Sequence, residues 1–142
     1  MDKLLRIVDA NLNRSQEGLR VCEDIARFIL NDKRLTPSFK TLRQSIGVLA
    51  KQIYKSKKLT LLKSRNVKMD IGRKTSFREG KRKNIGDIFF ANAERAKESL
   101  RVLEEITKLL GGKTPERFKK IRFRLYELEK KSRIKLDALL HY

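Results

Sequence analysis

Asn11, Arg14 and Glu17 recur at the same spacing as Asn92, Arg95 and Glu98. Residues three apart lie on successive turns of one helix face. An arginine placed there offers a planar fork of donors to phosphate or carboxylate, and an asparagine can read the edge of a heterocycle. A glutamate one turn further can orient the arginine, hold Mg2+ through water or position a ligand. Arg20/Glu23 and Arg101/Glu104 repeat too, further from the apolar face, where they read as solvated helix pairs. Asp70-Ile71-Gly72-Arg73 joins a carboxylate, a flexible glycine and a cation in one short segment. Such a loop can close over phosphates and bring Mg2+ with it, with Asp70 as the metal candidate; by composition it reads equally as a solvated basic linker.

These residues belong to a longer repeat. ANLNRSQEGLRVCEDI (10–25) and ANAERAKESLRVLEEI (91–106) are identical at nine of sixteen positions, where roughly one is expected from ordinary composition. Thr36-Pro37 and Thr114-Pro115 follow the two copies and read as an N-cap with a first-turn proline. Behind them Phe39, Leu42, Ile46, Leu49 and Phe118, Ile121, Leu125, Leu128 step by 3, 4 and 3, the seam of a helix packed on a helix. Asn31-Asp32 and Gly111-Gly112 suit helix ends.

The pattern predicts an all-α fold, a four-helix bundle of two repeated hairpins related by a pseudo-two-fold, with helices over about 3–30, 37–57, 87–110 and 115–139. The 142 residues fit a single domain, with repeat one over about 3–57, a basic connection over 58–86 and repeat two over 87–140. Asp9 reads as an ordinary residue near a helix start and Asp87 as a helix cap.

On the first helix one stripe, Val8, Leu12, Ser15, Leu19, Cys22, Ala26 and Ile29, is small or apolar. Its neighbour, Asn11, Arg14, Gly18, Val21, Ile25 and Phe28, is apolar only in its second half, and Asn92, Arg95, Ser99, Val102, Ile106 and Leu109 repeat it. Charge on a core-directed stripe is costly unless paired or solvated. Two readings follow: a cavity, with Gly18 and Ser99 leaving room and both constellations lining it, or duplicated Arg14/Glu17 and Arg95/Glu98 ion pairs.

Composition narrows the chemistry. His141 is the only histidine and Cys22 the only cysteine, which excludes His-centred triads, internal disulfides and multi-thiolate metal sites. Cys22 reads as a buried thiol. Mean hydropathy is −0.56; no apolar run reaches a membrane span and no signal peptide is evident, so the expected location is cytoplasmic, with no membrane partner. The net charge is +19, and residues 33–86 alone carry seventeen basic and two acidic side chains. A field of that kind attracts polyanions.

The runs RIVDANLNR (6–14) and EGLRV (17–21), Arg65 with Asp70-Ile71-Gly72, and ANAER (91–95) with ESLRVLEE (98–105) resemble the hydroxymethylpyrimidine-phosphate kinase domain often fused ahead of thiamine-phosphate synthase. The resemblance covers about residues 4–110. It implies ATP- and Mg2+-dependent phosphorylation of hydroxymethylpyrimidine phosphate to the diphosphate. By motif position it marks Asn11, Arg14, Glu17, Arg20, Arg65, Asp70, Gly72, Asn92, Arg95 and Glu98 as substrate- or phosphate-binding. Implied partners are ATP, the pyrimidine phosphate and thiamine-phosphate synthase, and a homodimer is left open. Two positions depart from the pattern: Asn66 stands where an Asp often follows the Arg, and Arg73 where a Thr often follows the Gly. Two other functions stay open beside the one the resemblance implies. One is a non-catalytic phosphate-binding or regulatory partner of thiamine enzymes. The other, less favoured, is a nucleic-acid-binding helical protein, because no helix-turn-helix is recognisable and most Phe and Tyr fall on seams.

Overall fold

A computed structural model describes residues 2–72 and 80–140. Among these residues there are four α-helices and no strand: α1 Asp2–Asp24, α2 Leu35–Ser64, α3 Ile85–Ile106 and α4 Thr114–Leu140. α1 packs on α2 and on α3, α3 packs on α4, and α2 meets α4, so the helices form a bundle. The seams read from the sequence are the core: Leu5, Val8, Leu12, Leu19 and Cys22 of α1, Phe39, Leu42, Ile46 and Leu49 of α2, and Phe118, Leu125 and Leu128 of α4 are all buried. Phe39 meets Phe89 of α3 edge-to-face, with ring centroids 6.0 Å apart. None of the helices is long and apolar enough to cross a membrane.

Helix ends differ from expectation in instructive ways. α1 runs into a π-helical turn, Ile25–Ile29, and Asn31 follows with φ +49°, a left-handed C-terminal residue of the kind Asn tolerates. α2 starts before Thr36-Pro37, and its cap is Asp32: Oδ1 accepts the Arg34 and Leu35 N–H groups at 2.9 and 2.7 Å. Thr36, expected as the cap, instead donates its hydroxyl to the Asp32 carbonyl from within the first turn. Thr114 likewise lies inside α4, after Gly111 and Gly112 at φ +80° and +78°. α2 also continues to Ser64, so residues 58–64 of the expected connection are helical. α3 opens with a reciprocal cap, Asn84 accepting the Asp87 N–H while Asp87 accepts the Lys83 N–H.

α1 and α3 run antiparallel in close contact. Gly18 of α1 faces Asn92 and Ala96 of α3, while the Cys22 thiol donates to the Phe89 carbonyl at 3.8 Å. A Cβ on Gly18 would stand 2.7 Å from the Asn92 carbonyl oxygen. The space expected at Gly18 for a ligand is therefore filled by the α3 backbone. Ser99, its counterpart, is buried and donates its hydroxyl to the Arg95 carbonyl.

Candidate functional site

The first half of α1 supplies one wall of a cavity of about 780 Å³, and the segment after α2 supplies the other. The periodicity of α1 explains the first wall. Asp9 and Asn11 sit beside the core residues Val8 and Leu12 and are buried, while Lys3, Arg6 and Arg14 stay exposed around the opening. Val102 of α3 closes one side. Asn11 donates its Nδ2 to the Ile7 carbonyl at 2.8 Å, a bond that fixes the carboxamide against its own helix.

The second wall is tied down by Asp9. Arg65 Nε lies 2.6 Å from Asp9 Oδ2 and Arg65 Nη2 lies 2.8 Å from Oδ1, a bidentate pair that spans α1 and the end of α2. The Tyr54 hydroxyl donates to Asp9 Oδ1 at 3.1 Å. Burial, then the Asp9 charge, pushes the Tyr54 phenol up, and the hydrogen bond to Asp9 raises the Arg65 guanidinium. Tyr54 stays a neutral donor and Arg65 a fixed cation. The chain then turns back on itself: Asn66 Oδ1 accepts the Met69 N–H, and Asp70 Oδ1 accepts the Gly72 N–H at 2.9 Å. Asn66, although it departs from the family pattern, makes a turn bond that an Asp side chain would also make. Asp70 lines the cavity as an exposed carboxylate.

Of the ten residues marked in the sequence, Asn11, Arg14, Arg65 and Asp70 line this cavity. Gly72 adjoins it through its bond to Asp70. Glu17, Arg20, Asn92, Arg95 and Glu98 do not line it, so the two constellations do not share this cavity. Asn92 donates its Nδ2 to the Ile88 carbonyl, as Asn11 does to Ile7. Arg14, Glu17, Arg95 and Glu98 are all exposed, and among the described residues neither arginine is ion-paired with a glutamate. The expected ion pairs Arg14/Glu17 and Arg95/Glu98 are absent there. Arg73 and His141 lie outside the described residues.

The duplicated ion pairs lie elsewhere. Glu23 is buried and takes Arg43 of α2 at 2.8 Å and Arg20 at 3.3 Å. Glu104 is buried likewise, taking Arg122 of α4 at 3.0 Å and Arg101 at 3.2 Å. Arg20 and Arg101 also reach Asp24 and Glu105. These groups clamp each hairpin, and the expectation of solvated pairs fails because the glutamates face the partner helix. Sequence reading missed Asp9, Tyr54, Lys3 and Arg6. The available signal was a carboxylate adjoining the core stripe, which requires a partner.

Repeat two carries no second copy of this wall. The position matching Asp9 is Phe90, over whose ring the Arg133 guanidinium stacks at 4.9 Å. Most described Phe and Tyr pack on the core; Phe123 and Tyr126 are exceptions, exposed on α4 beneath Lys119, Arg122 and Lys97.

Comparison with known proteins places these residues in a family. The ThiD2 family matches residues 6–131, and the chain belongs to it. The chain is 38% identical, over 128 residues, to the thiamine-phosphate synthase of Thermosynechococcus vestitus, covering 89% of this chain and 34% of that protein. It is 39% identical over 125 residues to the thiamine-phosphate synthase of a Nostoc species, covering 87% and 34%. With the thiamine-phosphate synthase of Rhodopirellula baltica it shares 34% identity over 137 residues, covering 96% and 36%. The chain thus spans about a third of the length of these curated relatives. No solved structure matches it.

Proposed function

We propose that this ThiD2-family chain acts in thiamine biosynthesis, transferring the γ-phosphoryl group of ATP to hydroxymethylpyrimidine phosphate. The observation that carries the reading is the cavity itself, in which Lys3, Arg6 and Arg14 surround the opening and Arg65 is fixed behind them by Asp9. Phosphoryl transfer asks a protein mainly to position its substrates and to balance charge spreading over phosphate oxygens. Three cations without a carboxylate partner among the described residues supply that balance, and the charge of Arg65 is held in place. The similarity to part of several thiamine-phosphate synthases supports the pathway.

The chemistry explains why no histidine base is needed. An oxygen of the substrate monophosphate, already anionic near neutral pH, attacks the γ-phosphorus of ATP. The bond from that phosphorus to the β–γ bridging oxygen breaks, ADP leaves, and a new P–O–P linkage forms. In this reading Asn11, fixed through Ile7, reads the pyrimidine edge with its remaining amide oxygen. Asp9 is committed to Arg65 and Tyr54. Asp70 is the exposed carboxylate, and the described residues hold no cluster of three or more metal-ligating side chains. One carboxylate beside substrate phosphates and water suits Mg2+, which would enter with the nucleotide and neutralise its β- and γ-oxygens. The test is to incubate purified protein with ATP, Mg2+ and hydroxymethylpyrimidine phosphate: one diphosphate per ADP is expected, and ADP without the diphosphate contradicts the assignment.

A further inference from the structure

A second recess opens between the start of α2 and the C-terminal half of α4. It measures about 320 Å³ and adjoins another of about 260 Å³, the two sharing Ser38 and Arg124. Ser38 and Tyr54 are sixteen residues apart on α2, about 24 Å along its axis, so this recess is remote from the cavity beside Asp9. Arg34, Arg124, Lys131 and Lys135 line it, and Asp32 is its one carboxylate. Lys135 is paired with Asp32 and Arg124 with Glu127. Arg34 and Lys131 are exposed and have no carboxylate partner among the described residues. Leu35 and Leu128, both buried, also line it and add apolar surface beside the charges.

We infer that this recess is a second anion site, taking a small molecule that carries two or more linked phosphates. Cations converging on one concavity repel each other, and a bound anion relieves that repulsion. The cations come from the turn before α2 and from α4, and the two concavities continue through Arg124, which suits a chain of phosphates better than a single one. Arginine forks and ammonium groups are the usual partners of such a chain. The recess is too small to admit a duplex, which would meet only its rim.

The experiment is calorimetric titration of the full chain with inorganic tripolyphosphate at physiological salt. A binding component should survive Arg14→Ala yet weaken at least tenfold in Arg34→Ala/Lys131→Ala. Both of these residues are exposed, so the fold should be unchanged by circular dichroism. Lys51→Ala/Lys120→Ala removes the same charge from exposed positions outside the recess and should leave that component within twofold. Equal weakening in the two double variants would overturn the inference in favour of a diffuse field, and no component that survives Arg14→Ala would overturn it in favour of a single site at the cavity beside Asp9.

Discussion

Asp9, buried on α1, holds Arg65 beyond the end of α2 through two hydrogen bonds of 2.6 and 2.8 Å across fifty-six residues of sequence. The pair decides where the segment 65–72 lies, and hence whether Asp70 faces the α1 cations. Asp9→Ala should release that segment and leave Tyr54 without its acceptor. Breaking a fully buried pair costs about 3–5 kcal/mol. Arg65 is partly exposed, so about 1–3 kcal/mol is expected here. Urea unfolding of Asp9→Ala measures it, and a change under about 0.5 kcal/mol would show that the pair does not hold the segment.

Gly18→Ala tests the close approach of α1 and α3. The new methyl would meet the Asn92 carbonyl oxygen, which belongs to backbone and cannot swing aside. Overpacking of this kind costs about 1–3 kcal/mol, although alanine is otherwise the better helix former. A variant as stable as the parent in thermal melts would mean that the helices separate at little cost.

The bundle was legible in the sequence because seams at 3, 4, 3 spacing can face only another helix, and Phe39, Ile46, Phe118 and Leu125 do so. Site residues were less legible. Arg14 and Arg95 share a stripe with residues of the core, yet both are exposed, while Gly18 and Ser99 one turn further on are buried. Asp9 looked ordinary because its partners, Tyr54 and Arg65, arrive from another helix. The same holds for Glu23 and Glu104, whose Arg43 and Arg122 have no local spacing that announces them.

The hairpin clamps should matter for folding rather than for ligand. Glu104→Ala strands Arg122 and Glu23→Ala strands Arg43, while Arg101 and Arg20 keep Glu105 and Asp24. A loss on the order of 3 kcal/mol is expected for each from uncompensated, partly buried charge. Ligand affinity in the folded fraction should be unchanged; an affinity loss without a stability loss would place these glutamates in a site instead.

Acid should loosen the start of α2. The Leu35 N–H and Lys135 hold the Asp32 carboxyl down at about 2, below its ordinary value near 4. A depressed carboxylate stabilises the fold fully above the unfolded value and loses that contribution as pH falls through the folded one. Asp32→Ala should therefore be about 1 kcal/mol less stable than the parent at pH 6, the usual worth of an N-cap. The gap should narrow between about pH 4 and pH 2. A gap constant with pH would mean that the carboxylate charge is not what caps the helix.

Arg14→Ala puts the central claim to its most direct test, because Arg14 is exposed, lines the cavity and pairs with no carboxylate among the described residues. Its removal should leave the melting temperature within about 2 °C of the parent and lower kcat/KM for pyrimidine diphosphate formation at least 100-fold, about 2.7 kcal/mol of transition-state stabilisation. Arg95→Ala, outside this cavity, should lose less. Wild-type turnover in Arg14→Ala, measured with ATP and hydroxymethylpyrimidine phosphate beside a melt of the same sample, would contradict the assignment of this cavity as the site of phosphoryl transfer.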